Sequence, residues 1–233
     1  MKITKLFLFA ALCALFVCNV QAHYLWIEDT HGHGLTVRFA EWPDEYESSP
    51  GHLDQVDPPI AWKSGTNGEP IHLVLKKKSD QIQIIHATSE DSVQLEAGFA
   101  VMTPERMQAE GAPISTNTPA RKPIFYARWI PAGSSKLKPS LNLDIVPAGN
   151  TGEYQVCFRG EPVAYAKVTA SHPDGHEEKL TTDEKGIVHF AAEKPGLFML
   201  SCKHQRENVK GFSGGLPYEV VSHNCSLTWR QPG

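Results

Sequence analysis

The residues with the widest chemical reach in this 233-residue chain are histidines and cysteines whose spacing could assemble a metal site. His23 follows a segment that reads as a cleavable export signal, so cleavage would make it the first residue. Its amino group and imidazole Nδ1 would then chelate one ion, a donor set suited to Cu(II), Ni(II) or Co(II), with Zn(II) less favoured. His31 and His33, in Asp29-Thr30-His31-Gly32-His33-Gly34, offer an auxiliary grip. Against these readings stand plainer ones, a solvated terminus and a solvated turn. A second set alternates on two strands: Cys202 with His204, and His223 with Cys225. If the strands are antiparallel neighbours and Cys202 faces Cys225, then His204 faces His223, because two steps along one strand match two steps back on the other. The cysteines then close a disulfide in an oxidising compartment, or the four side chains form a tetrahedral Zn(II) or Cu(I) site. Glu207 stands three residues on and could add an oxygen ligand. A metal shared by His23, His204 and His223 requires the N-terminus to reach the second half. Cys157, the third cysteine beyond the signal, reads as a buried free thiol.

These residues need an exported β scaffold. Lys2 and Lys5 precede an apolar run over 6–20, and Val20-Gln21-Ala22 supplies small residues at a cleavage site, the pattern of a secretory signal. Residues 1–22 are therefore expected to be removed, leaving a soluble periplasmic or secreted protein without membrane insertion. Without Lys2 and Lys5 the balance is 20 basic against 26 acidic residues, which argues against a nucleic-acid partner. Strand-like runs dominate: 24–28, 35–42, 71–76, 82–87, 93–102, 124–130 and 141–146. Thr103-Pro104-Glu105 caps one short helix, and 109–123 reads as a long polar loop. A cluster of small and turn-forming residues at 147–152 separates two expected antiparallel β-sandwich domains, 23–148 and 153–233. The second packs about seven short strands into its length, as Ig-like sandwiches do.

The stretch Val156-Cys157-Phe158-Arg159-Gly160-Glu161-Pro162-Val163-Ala164, with Thr182-Asp183-Glu184-Lys185-Gly186, Val188 and Phe190, resembles transthyretin-like, carboxypeptidase-regulatory-like domains. The resemblance covers most of 153–204 and implies a fold more than an activity. More loosely, His23-Tyr24-Leu25-Trp26 after a signal, an all-β first half and the final strand with Leu227 resemble secreted bacterial proteins labelled as periplasmic components of nickel or cobalt uptake. That resemblance implies a transition-metal cofactor or cargo, and a membrane metal permease or another periplasmic protein as partner.

Enzymatic signatures such as Gly-x-Ser-x-Gly, His-Glu-x-x-His and a phosphate loop are missing, so binding without turnover is expected. The expected role is metal uptake, delivery or buffering. Two rivals remain: an adhesion or spacer module, with Trp26, Trp42, Trp62 and Trp129 supplying a partner surface, and a copper oxygenase using the His23 chelate. His52, in the acidic segment 41–57, reads more simply as part of a solvated loop than as a ligand.

Overall fold

The computed structural model describes residues 23–30, 34–43, 45–65 and 67–233, with backbone alone at His204 and Gln205. The chain is almost entirely β, as its short apolar runs and frequent turn residues predict. The first half contains β1 (Tyr24–Asp29), β2 (Leu35–Glu41), β3 (Glu45–Tyr46), β4 (Ile60–Ser64), β5 (Pro70–Lys77), β6 (Ile82–Ile85), β7 (Val93–Gly98) and β8 (Arg121–Trp129). A 3-10 turn, His52–Gln55, follows β3, and helix α1 (Pro104–Ala109) precedes β8. Thr103 caps α1 as its sequence predicts, its hydroxyl accepting from the Arg106 amide at 3.3 Å.

The second half contains β9 (Leu143–Pro147), β10 (Glu153–Phe158), β11 (Glu161–Pro162), β12 (Lys167–Ser171), β13 (Glu177–Thr181), β14 (Ile187–His189) and β15 (Gly196–Glu207). It ends with β16 (Gly211–Ser213), β17 (Leu216–Tyr218) and β18 (Val220–Gln231). Between β15 and β18 the chain forms the short hairpin β16–β17, with Phe212 exposed on it. Gly186 turns the chain into β14 at φ 73°; a Cβ there would lie 2.9 Å from the Val156 carbonyl oxygen, so only glycine fits.

One twelve-stranded sheet runs through both halves in the order β1-β2-β6-β5-β4-β7-β8-β18-β15-β12-β13, with β3 beside β2. The last strand therefore inserts between β8 and β15, parallel to the first and antiparallel to the second. The turn at 148–152 joins β9 to β10 as an antiparallel pair, and β9, β10, β11 and β14 form a second sheet.

Alternation along β8 shows how one strand serves two cores, since successive side chains point to opposite faces. Phe125, Ala127 and Trp129 enter the first core with Leu25, Val37 and Leu95. Tyr126 and Ile130 enter the second with Leu143, Val156, Leu200 and Leu227. β18 divides likewise: Cys225, Leu227 and Trp229 face the second core, while the Ser226 and Thr228 hydroxyls donate to the backbone oxygens of Leu25 and Ile27. Those bonds seat β1 across the other face of β18. A third, small cluster of Trp26, Ala40, Trp42 and Met199 packs the back of β1 and β2 onto β15. Trp26, Trp42 and Trp129 are thus buried and Trp62 is half-buried, so these tryptophans do not form the exposed partner surface that one rival reading required. Their indoles belong to cores.

Arg128 and Asp144 tie β8 to β9 beneath the second core. The guanidinium donates to both carboxylate oxygens, at 2.9 and 2.6 Å, and the two side chains are only 2% and 1% exposed. The amides of Ser140 and Leu141 also donate to Asp144, completing its hydrogen bonds. Replacing Asp144 with Ala strands a buried cation, so the Asp144→Ala variant is expected to lose about 3–5 kcal/mol of stability in urea denaturation. A loss below about 1 kcal/mol would show that the pair does not hold the two sheets together.

Candidate metal centre

His23, immediately before β1, brings its ring to two residues of the segment after β3. His23 Nε2 donates to Glu47 Oε1 at 2.5 Å, and His52 Nδ1 donates to the same oxygen at 2.9 Å. One donor atom from each of the three residues lies within 4.8 Å of the others, and no other group of this kind occurs among the described residues. All three side chains are partly exposed, at 30%, 26% and 43% for His23, Glu47 and His52.

The sequence builds this cluster locally. The pairing of β1 with β2 sets Leu25 opposite Phe39, so His23, two residues earlier, lies on the same face and stacks on Phe39 with ring centroids 5.2 Å apart. Phe39 rests in turn on Phe99 and Phe125, so the ring of His23 has a rigid apolar floor. The Glu47 amide donates to the Phe39 carbonyl, extending the β2–β3 pairing by one residue. Gly51 then lets the chain fold tightly back, because a Cβ there would lie 2.8 Å from the Ser48 carbonyl oxygen. The 3-10 turn that follows aims His52 edge-on at His23, with centroids 5.5 Å apart.

Burial raises the Glu47 carboxyl, but hydrogen bonds from His52 and His23 outweigh it and hold the group below the usual value of 4.5. The cluster thus keeps an anionic oxygen between two imidazoles. This is a two-histidine, one-carboxylate set that suits a first-row divalent ion with open positions toward solvent. A metal would displace the protons now shared with Glu47, so its binding would be proton-linked.

The geometry revises several expectations. His23 presents Nε2 to the cluster, whereas a chelate with its amino group would use Nδ1. His31 and His33 lie outside the described residues, as does the expected signal at 1–22. Cys202 does pair with Cys225, as the register argument supposed, but the ladder shifts between Lys203 and Gln205, and His223 faces Gln205 instead of His204. A β-bulge inserts one residue and cancels the two-for-two matching that the sequence argument assumed. The His204 side chain is not among those described.

Cys202 and Cys225 are free and share a hydrogen bond that lowers the Cys202 thiol, while burial raises that of Cys225. The two cysteines expected to close a disulfide thus stand as neighbouring free thiols within the second core. Cys157 is free and buried, as expected, and burial pushes its thiol up to about 11.

His223 and Glu207 do meet, but away from His23, on the face of β18 opposite to the one β1 covers. The buried His223 ring donates from Nε2 to Glu207 at 3.0 Å and accepts at Nδ1 from the Tyr126 hydroxyl at 2.9 Å. Arg159 also donates to Glu207 at 2.8 Å, and it sits at φ 53°, a left-handed conformation uncommon for arginine. Both ring nitrogens of His223 are thus already used by protein groups. The set His23, His204 and His223 is therefore not assembled, since the face alternation of β18 separates its first and last members.

The residues that sequence reasoning underweighted are Glu47 and His52. The available signal was Pro50-Gly51-His52, a tight turn that returns the chain after an acidic segment. For Glu47 the sign is clear: a depressed carboxyl contributes stability that is fully present above the ordinary carboxylate range and is lost as pH falls through its folded value. Wild type is therefore expected to exceed Glu47→Gln by about 0.5–1 kcal/mol at pH 6, with the gap closing below about pH 4 in denaturant titrations.

No curated protein and no solved structure matches this chain. A family model described as a domain of unknown function, DUF4198, matches residues 20–206. That match covers most of the sequence, including the His23 cluster and all strands through most of β15, so the chain belongs to the DUF4198 family.

Proposed function

We propose that this protein binds a divalent transition metal outside the cytoplasm through His23, Glu47 and His52, and serves in its uptake, delivery or buffering. The observation that carries the reading is the convergence of two imidazole nitrogens on one carboxylate oxygen over an aromatic floor. The ordinary affinity order puts Cu(II) above Ni(II) above Co(II) for such a site. The partial exposure of all three side chains favours exchange with a partner over permanent retention. The resemblance to nickel- or cobalt-labelled secreted proteins supports the same direction, with a membrane permease as the receiving partner. Export by the 1–22 signal belongs to the proposal, as does the transthyretin-like reading of the second half, which the facing of β9, β10 and β14 across a common core supports. The family description is silent on metal.

The copper-oxygenase reading needs the amino nitrogen and Nδ1 of His23 on one ion. The ring is turned so that Nε2 meets Glu47, which favours binding over that chemistry.

Calorimetric titration of residues 23–233 with Cu(II), Ni(II), Co(II) and Zn(II) is expected to give about one equivalent. Replacing His52 with Ala or Glu47 with Gln should weaken binding about tenfold or more. A variant with one extra residue ahead of His23 should bind almost as well as wild type, because Nε2 does not depend on a free amino group. Severe weakening by that extension would instead place the ion on the amino nitrogen and Nδ1. Unchanged affinity in both His52→Ala and Glu47→Gln would remove the proposed site.

A further inference from the structure

The face of β18 that receives β1 runs on to Ser222 and Val220, both buried. The Thr228 and Ser226 hydroxyls bond Ile27 and Leu25 in turn, so the same two-residue step brings Asn224 to the level of His23. Ser222 and Val220 therefore lie ahead of the first described residue. Two arginines flank this stretch. Arg121 opens β8 and pairs with Val220 across the parallel ladder, and Arg206 of β15 pairs with Ser222 across the antiparallel one. Paired residues point to the same side of a sheet, so both guanidinium groups belong to this face.

Arg121 is poorly neutralised where it stands. Its Nε is shielded from solvent and has no hydrogen-bond partner among the described residues. Burial pushes its guanidinium down, Arg206 repels it, and among the described residues the carboxylate that attracts it is Glu110. That carboxylate is already engaged, accepting from Arg106 Nε at 3.1 Å. Arg106 also keeps a shielded Nη2 with no partner. Leaving such donors unpaired is costly, and a hydrophobic residue at 121 would avoid the cost. The planar fork of arginine matches a carboxylate or phosphate group, and the exposed Arg206 leaves an approach from solvent.

We infer that Arg121 and Arg206 form an anion-binding shelf beside the start of β18, reached from the exposed Arg206 side, taking the carboxylate or phosphate group of a small solute. This shelf is separate from the His23 cluster and does not depend on the metal reading. The anion completes the hydrogen bonds of the Arg121 guanidinium and cancels its repulsion with Arg206.

The test uses residues 23–233 dialysed into metal-free buffer, titrated by calorimetry with citrate and, separately, with inorganic phosphate. Saturable binding of at least one is expected, weakening with added salt. Binding of citrate alone assigns the shelf to carboxylates, and binding of phosphate alone assigns it to phosphate groups. Arg206→Gln, at an exposed position, should fold normally and weaken binding about tenfold or more. Arg121→Gln should abolish the rise in melting temperature that the anion produces in wild type. If neither anion binds, or if Arg206→Gln binds as well as wild type, the inference is overturned. Because no metal is present, failure here leaves the His23 proposal untouched, and failure of that proposal leaves this one standing.

Discussion

The structure depends on the placement of β18 between β8 and β15. A strand in that position is buried on both faces, yet the two faces meet different surroundings. One carries Cys225, Leu227 and Trp229 into the second core. The other carries Ser226 and Thr228, whose hydroxyls bond the carbonyls of β1. Alternating apolar and hydroxyl residues satisfy both demands with a period of two. The same bonds fix the height at which β1 begins, and so the position of His23. A histidine just ahead of a strand could hang free, but here it leads directly into a strand anchored to the centre of the sheet.

Much of this arrangement is legible in the sequence. Alternation and turn residues reveal most of the strands, Thr103-Pro104 marks the start of the only α-helix among the described residues, and the Cys202–Cys225 pairing supposed from the sequence is the one present. The failures have physical reasons. Parity arguments assume an uninterrupted ladder, and a one-residue bulge leaves no composition signal, so the His204–His223 pairing could not be tested from spacing alone. The parallel pairing of β8 with β18 joins residues about a hundred positions apart, beyond the reach of local patterns. It makes the sheet continuous through a point where turn-forming residues suggested a division.

The candidate centre was half visible. His23 stands out because of what precedes it, while Glu47 and His52 are hidden in an acidic loop whose composition looks merely solvated. Only the back-turn at Gly51 distinguishes it. Conversely, His223 and Glu207 look like ligands by spacing and do touch, but Tyr126 and Arg159 complete their hydrogen bonding as a closed polar network. Proximity of donor residues is thus not enough; what matters is whether another protein group has already taken the donor atoms.

The central position of the last strand also has a temporal consequence. During synthesis, β8 and β15 emerge with unpaired sheet edges, and the strand that covers both, β18, is made after them. The two cores cannot close until β18 is available, and contacts joining distant positions form slowly. An incomplete chain would expose the edges on which strands from other molecules add. Such a polypeptide is best kept apart from other chains until β18 has been made.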